Sequence, residues 1–154
     1  MFKLSKLTDY AAIILSTLDK GQDVPVSVAT IAETANLPEP TVSKVLKLLC
    51  KAGLVKSMRG ATGGYRMNGT LDHISVLDLV IAIEGPLSIV ACVDSAGEGC
   101  MLEQSCMMRG RWDPVNEALK DALGSVSLRD INERRVNMLS KAGTQKNYNE
   151  ERIQ

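Results

Sequence analysis

The 154-residue sequence predicts a mainly α protein: a winged helix-turn-helix with a β-hairpin wing, followed by a cysteine-bearing loop and further helices. Three observations carry that prediction. Apolar residues recur at helical spacing in three successive segments before Gly53. A tight turn, Asn36-Leu37-Pro38, separates the second from the third, and the third is polar and basic on its outer side. A strand-like run and three glycines within six residues then read as a hairpin with a flexible tip.

Taken in order, Leu7, Ala11, Ile14, Leu15 and Leu18 form the stripe of a first amphipathic helix over 5–19, ended by Gly21 and Pro25. Val28, Ile31, Ala32 and Ala35 mark a shorter second helix. Pro38 and Pro40 are tolerated only in or before a first helical turn, so the third helix starts there and runs to about Ala52, with Gly53 as its stop. Its apolar stripe is Val42, Val45, Leu46 and Leu49. Leu54–Met58 reads as a strand, Arg59–Gly64 as the wing tip and Tyr65-Arg66-Met67 as the return. Ser75-Val76-Leu77-Asp78 resembles a capping box opening a fourth helix that Gly85-Pro86 stops. Residues 92–106 lack periodicity and form a loop. Trp112, Val115, Leu119, Ala122 and Leu123 make another apolar stripe, with Asp113 as N-cap and Pro114 at the first helical position, or with an earlier start near Met107 and a kink at Pro114. Ser127-Leu128-Arg129-Asp130 opens a short last helix. The expected division is a DNA-binding winged helix over 1–70, a loop and dimerisation helices over 71–139, and a polar tail over 140–154 with the composition of disorder. The stripes at 7–18 and 112–123 supply either the monomer core or the interface of a homodimer.

No apolar run reaches the ~18 residues of a membrane span, and Met1–Lys6 does not read as a signal peptide. A cytoplasmic chain with reduced thiols is the expectation. The net charge is zero but unevenly placed. Residues 1–70 hold nine Lys and Arg against five Asp and Glu, a net of +4; residues 71–154 hold nine against thirteen, a net of −4. A basic side on a neutral protein fits a polyanion partner, and equally a solvated helix face. On the third helix, Glu39, Thr41, Ser43, Lys44 and Lys47 are the candidate contacts to double-stranded operator DNA, the lysines reaching guanine edges or phosphates. On the wing, Arg59 and Thr62 are candidates, and the Gly63 amide lies where it can approach a phosphate. An enzyme is not expected: there is no Ser/His/Asp set, one histidine in all, and no phosphate-binding glycine loop in a strand–helix context, so no small-molecule substrate is implied.

Cys92, Cys100 and Cys106 stand in one stretch as C-x7-C-x5-C. Thiolates are soft ligands suited to an iron–sulfur cluster or to zinc. Structural zinc usually takes four ligands, often in close C-x2–4-C pairs. The wider gaps here and the lack of a fourth cysteine in the loop favour a cluster. Cys50 falls on the edge of the third helix's stripe and reads as a packed thiol. His73, the one histidine, reads as a surface or locally satisfied residue. Asp9 reads as a charge suited to a helix N-terminus.

The chain also resembles the Rrf2 family of bacterial winged-helix regulators. The resemblance rests on Leu7-Thr8-Asp9-Tyr10-Ala11, on Leu48–Val55, on the wing Arg59–Tyr65, on Ala82-Ile83-Glu84-Gly85-Pro86, and on the cysteine triplet followed by Arg109 and Trp112. Within the family, Cys106-Met107-Met108-Arg109-Gly110-Arg111-Trp112 is similar to the regulators of the SUF iron–sulfur assembly operon. The resemblance implies a homodimeric repressor whose DNA binding depends on an iron–sulfur cluster, [2Fe–2S] in preference to [4Fe–4S]. It also marks a departure. Where the general assembly regulators carry a histidine ligand three residues after the third cysteine, this chain has Arg109, which stays protonated and cannot ligate. The nitric-oxide-sensing members complete their cluster with an aspartate of the other subunit, and Asp9 occupies the matching position. Glu98, Glu103, a small thiol or water are the other candidates for the fourth ligand. A nitric-oxide- or redox-sensing repressor and a zinc-stabilised interaction module are the alternative functions.

Overall fold

A computed structural model describes residues 3–20, 24–60, 63–89, 107 and 110–133. The expected apolar spacing puts Ala11, Ile14, Leu15 and Leu18 of α1 (Lys6–Lys20) into the interior, so this stripe belongs to the monomer core. Around it pack α2 (Val28–Ala35), α3 (Glu39–Lys51) and α4 (Val76–Glu84). Val42, Val45, Leu46 and Leu49 of α3 are fully buried, as the stripe requires. Each such side chain contributes about 1.5–3 kcal/mol on leaving water, which fixes the rotation of α3 about its own axis. Its polar face then has one direction in which to point.

The turn between α2 and α3 is set by local chemistry. Ser27 caps α2 by accepting from the Thr30 amide at 3.1 Å. At the other end Asn36 adopts the left-handed conformation at φ 53°, which Asn tolerates better than most residues, and the Leu37 amide donates to Ala32 O at 3.0 Å. Pro38 is the N-cap of α3 and Pro40 sits in its first turn, where a missing N–H costs nothing.

Strands β1 (Val55–Met58) and β2 (Gly64–Met67) pair antiparallel, with Val55 opposite Met67 and Met58 opposite Gly64. The chain just before α2 joins this hairpin through an isolated bridge from Val26 to Tyr65, with reciprocal main-chain bonds of 2.9 and 2.8 Å. This contact was invisible in the sequence, because a one-residue strand leaves no periodicity. A 3₁₀ turn, Leu71–His73, then leads to α4.

The capping box expected at Ser75 is present: Ser75 Oγ accepts from the Asp78 amide, and Asp78 accepts from the Ser75 amide at 2.9 Å. A second one opens α6 (Leu128–Asn132) at Ser127 and Asp130. For α5 (Asp113–Gly124) the expected cap is corrected. Trp112 is the N-cap, and Asp113 and Pro114 both lie inside the first turn. The Asn116 amide bonds to Trp112 O at 3.0 Å, closing the turn one residue earlier than Asp113 as cap would allow. Pro114 is accommodated because that amide position has no partner within the helix.

After α5 the chain returns to the start of α4. Val76 N donates to Val126 O at 2.9 Å and Leu128 N to Ile74 O at 2.8 Å, around a bridge between Ser75 and Ser127. Arg129 of α6 pairs with Asp19 of α1 at 2.9 Å and with Asp72 of the 3₁₀ turn at 3.3 Å. Among the described residues no helix is long and apolar enough to cross a membrane.

Candidate nucleic-acid interface and cysteine framework

The buried stripe of α3 leaves Glu39, Lys44 and Lys47 exposed, with Thr41 and Ser43 half-buried beside them. Lys44, Lys47 and the exposed Lys51 follow one another at three- and four-residue steps, so they line one side of the helix. Glu39 stands in the first turn, where a carboxylate suits the helix dipole. The expected contact residues of α3 are therefore brought together on one outward face.

Arg59 lies exposed directly after β1. Gly63 N donates to Gly60 O at 2.9 Å and closes the wing tip as a turn. Thr62 lies outside the described residues. The wing glycines have a steric reason as well as the electrostatic one expected for Gly63. A Cβ on Gly63 would stand 2.6 Å from Met58 O, and one on Gly64 would stand 2.6 Å from Val26 O. Only glycine lets the hairpin tip close and lets β2 lie against the chain before α2.

Cys92, Cys100 and Cys106 lie outside the described residues, as do Arg109, Glu98 and Glu103. The framework that leads into and out of their segment is described. On the entering side, Glu84 at the end of α4 accepts from the Ser5 amide at 2.9 Å and from the Thr8 hydroxyl. The Thr8 bond first and the Ser5 amide next hold the Glu84 carboxyl below its usual range. This joint places the end of α4 on the first turn of α1, the turn that carries Asp9. Asp9 itself is exposed.

Beyond Gly85, the main chain of Leu87 to Ile89 is held by one side chain of α5. Asn116, with no solvent exposure, donates from Nδ2 to Leu87 O and accepts at Oδ1 from the Ile89 amide, both at 3.3 Å. Neither Asn116 nor the Glu84–Thr8 joint was singled out from sequence. A signal was available for Asn116, which sits on the α5 stripe four residues after Trp112 and three before Leu119. A polar residue at a core position needs a specific partner.

The remaining candidates have local explanations. His73 Nδ1 lies 3.0 Å from Thr70 Oγ1 on an exposed turn. Cys50 is half-buried against the core, and burial pushes its thiol up, away from the reactive thiolate. Among the described residues no three His, Cys, Asp or Glu side chains converge on a metal position.

Comparison with known proteins adds to this geometry. The Rrf2 family, described as iron-dependent transcriptional regulator, matches residues 4–134. The transcriptional regulator CymR of Bacillus subtilis is 33% identical over 130 residues, covering 84% of this chain and 88% of that protein. The solved structure of CymR, described as the global cysteine regulator of B. subtilis, superposes with a TM-score of 0.64 over 87% of this chain and 98% of the other, at 34% identity. The structure of T. potens IscR superposes with a TM-score of 0.60 at 28% identity, covering 92% of this chain and 94% of the other. The regulator NsrR of Bacillus licheniformis is 27% identical over 130 residues, 84% of this chain and 91% of that protein.

Proposed function

We propose that this chain, which belongs to the Rrf2 family of winged-helix transcriptional regulators and is not an enzyme, is a cytoplasmic homodimeric repressor that reads iron–sulfur status. On this reading it controls SUF-type iron–sulfur assembly genes and holds a [2Fe–2S] cluster on Cys92, Cys100 and Cys106, with Asp9 of the partner subunit as fourth ligand. The observation that carries the reading is the position of the three cysteines. They occupy the segment between α4 and α5, whose two ends are joined by Asn116 and whose near end rests on the first turn of α1. The donor set fits the group: three thiolates are soft, and one carboxylate leaves an iron less tightly held than a fourth thiolate would. When bound, the cluster supplies a redox- and iron-sensitive crosslink between chain segments.

The chain's own residues do the rest. Glu84 and Thr8 connect α4 to α1, and α1 packs on both α2 and α3. A change in how α4 and α5 sit is thereby transmitted to the helix bearing Lys44 and Lys47. In the dimer such a change alters the spacing of two recognition helices relative to two operator half-sites. The support for a dimer is the apolar surface at the start of α5, where the N-cap Trp112 and Val115 remain 38% and 50% exposed.

Anaerobic purification with visible spectroscopy and iron and sulfide counting tests the proposal, followed by operator binding with and without the metal. Coloured protein with iron and sulfide is expected, and alanine at any one of the three cysteines should bleach it. A coloured triple variant, or one zinc per chain, would overturn the cluster reading. A second reading, a redox- or nitric-oxide-responsive repressor, is favoured by Arg109 standing where a histidine ligand is expected. Release from the operator by nitric oxide but not by an iron chelator supports it.

A further inference from the structure

Arg129 of α6 ties together three elements that chain order keeps apart. Its Nη1 and Nη2 donate to the two carboxylate oxygens of Asp19, at 2.9 and 3.3 Å. Nε and Nη2 donate to Asp72 Oδ2, both at 3.3 Å. Glu133 of the following turn lies 3.8 Å from Nε. Asp19 stands at the end of α1, and Asp72 in the 3₁₀ turn Leu71–His73. The Arg129 and Asp19 side chains are 28% and 16% exposed, so water screens their pairing only in part. A guanidinium suits the position because its planar fork serves two carboxylates at once, which the point charge of a lysine does not.

The place of this clamp gives it a task. Strand β2 ends at Met67, and the chain then enters the 3₁₀ turn, where Leu71 is fully buried. One cavity is lined by Asp19, Arg129 and two residues of β2, Arg66 and Met67, so the clamp stands beside the wing strand itself. Asn68 closes the hairpin on its own base, donating from its amide to Leu54 O at 2.9 Å and from Nδ2 to Gly53 O at 2.8 Å. Core packing then sets the hairpin on α1, and Arg129 adds a part that depends on charge. Two carboxylates that accept from one guanidinium stand close enough to repel each other once it is gone. Without Arg129 the end of α1 and the 3₁₀ turn face each other with like charge, and the strand leading into that turn moves with it.

We infer that Arg129 is a positioning residue for the wing: by neutralising Asp19 and Asp72 together it holds the 3₁₀ turn at the root of β2 against α1, and so fixes the attitude of the hairpin toward DNA. The effect on DNA rests on the reading of the wing as a DNA contact; the hold on the hairpin does not.

The test compares the full chain with Arg129→Met, Asp72→Asn, the two combined, and Arg129→Lys. Two quantities are measured. One is hydrogen exchange of the main-chain amides over 64–73 against those of α3. The other is affinity, at ~0.15 M salt, for a DNA duplex selected from a random-sequence pool by the wild-type chain. Arg129→Met is expected to speed exchange over 64–73 about fivefold with α3 unchanged, and to weaken duplex binding by about the same factor. Adding Asp72→Asn removes the repulsion and should restore both, a rescue that a loss of packing alone does not allow. Arg129→Lys keeps the charge and loses the fork; it should shift both quantities the same way by a smaller factor, and it carries the test if the methionine variant does not fold. Exchange that stays at the wild-type rate, that rises equally in α3, or that Asp72→Asn fails to restore overturns the inference. Faster and rescued exchange with unchanged duplex affinity overturns the DNA half alone, and unchanged affinity in Arg59→Ala then places the failure in the wing reading rather than in the clamp.

Discussion

Gly64 lies where β2 passes the Val26 carbonyl, and a methyl group there would stand 2.6 Å from that oxygen and 2.7 Å from its carbon. Both are main-chain atoms, and neither can step aside without parting the wing from the chain before α2. Gly64→Ala is expected to cost about 1–3 kcal/mol, read as a lowered thermal midpoint, and to weaken operator binding through a tilted wing. Arg59 lies exposed after β1. Arg59→Ala should keep the thermal midpoint and the visible spectrum and still weaken operator binding, with the salt slope reduced by about one if its contact is to a phosphate. Unchanged affinity would remove it from the interface. The two substitutions separate a residue that shapes the reader from one that reads.

Among the elements, the joint between α1 and α4 has a pH signature. Thr8 and Ser5 hold the Glu84 carboxyl below its usual range. A carboxylate whose pKa falls on folding stabilises the fold above its unfolded value and loses that contribution as pH drops through the folded one. The joint should therefore weaken below about pH 4.3, the ordinary Glu value. Glu84→Gln should flatten the loss of thermal stability between about pH 6 and pH 3, by a modest amount because the group is exposed. Identical profiles for the two proteins would show the joint to be energetically silent. Several helix ends were legible in the sequence because their residues announce them: Ser75 and Ser127 as openings, Gly53 and Gly85 as stops. The start of α5 was not, since Asp113-Pro114 reads as cap and first residue but both fall within the first turn. The Val26–Tyr65 bridge and the Glu84–Thr8 bond were not either, because they join residues 39 and 76 positions apart with no shared pattern. For the candidate site, side-chain types were readable, and so was the face of α3 that carries them. How the cysteine segment is anchored had to come from the fold.

For the whole molecule, one apolar core runs from Ala11 through Leu87 to Leu128, and the apolar residues that α5 packs against it are the half-buried Leu119 and Leu123. Trp112 and Val115 on the same helix remain outside. Of the two stripes that were dimer candidates, the α1 stripe is spent on the core, which leaves α5. Val115→Asp should convert a dimer to a monomer in sedimentation velocity and lower operator affinity, with the thermal midpoint little changed. A variant that stays dimeric would move the interface to another face. The Ser75–Ser127 bridge makes the stretch from α4 to α6 a closed excursion, held at its base by main-chain bonds that any side chains can make. Descent can thus change the length and chemistry of the chain between α4 and α5 while the base of this excursion stays as it is.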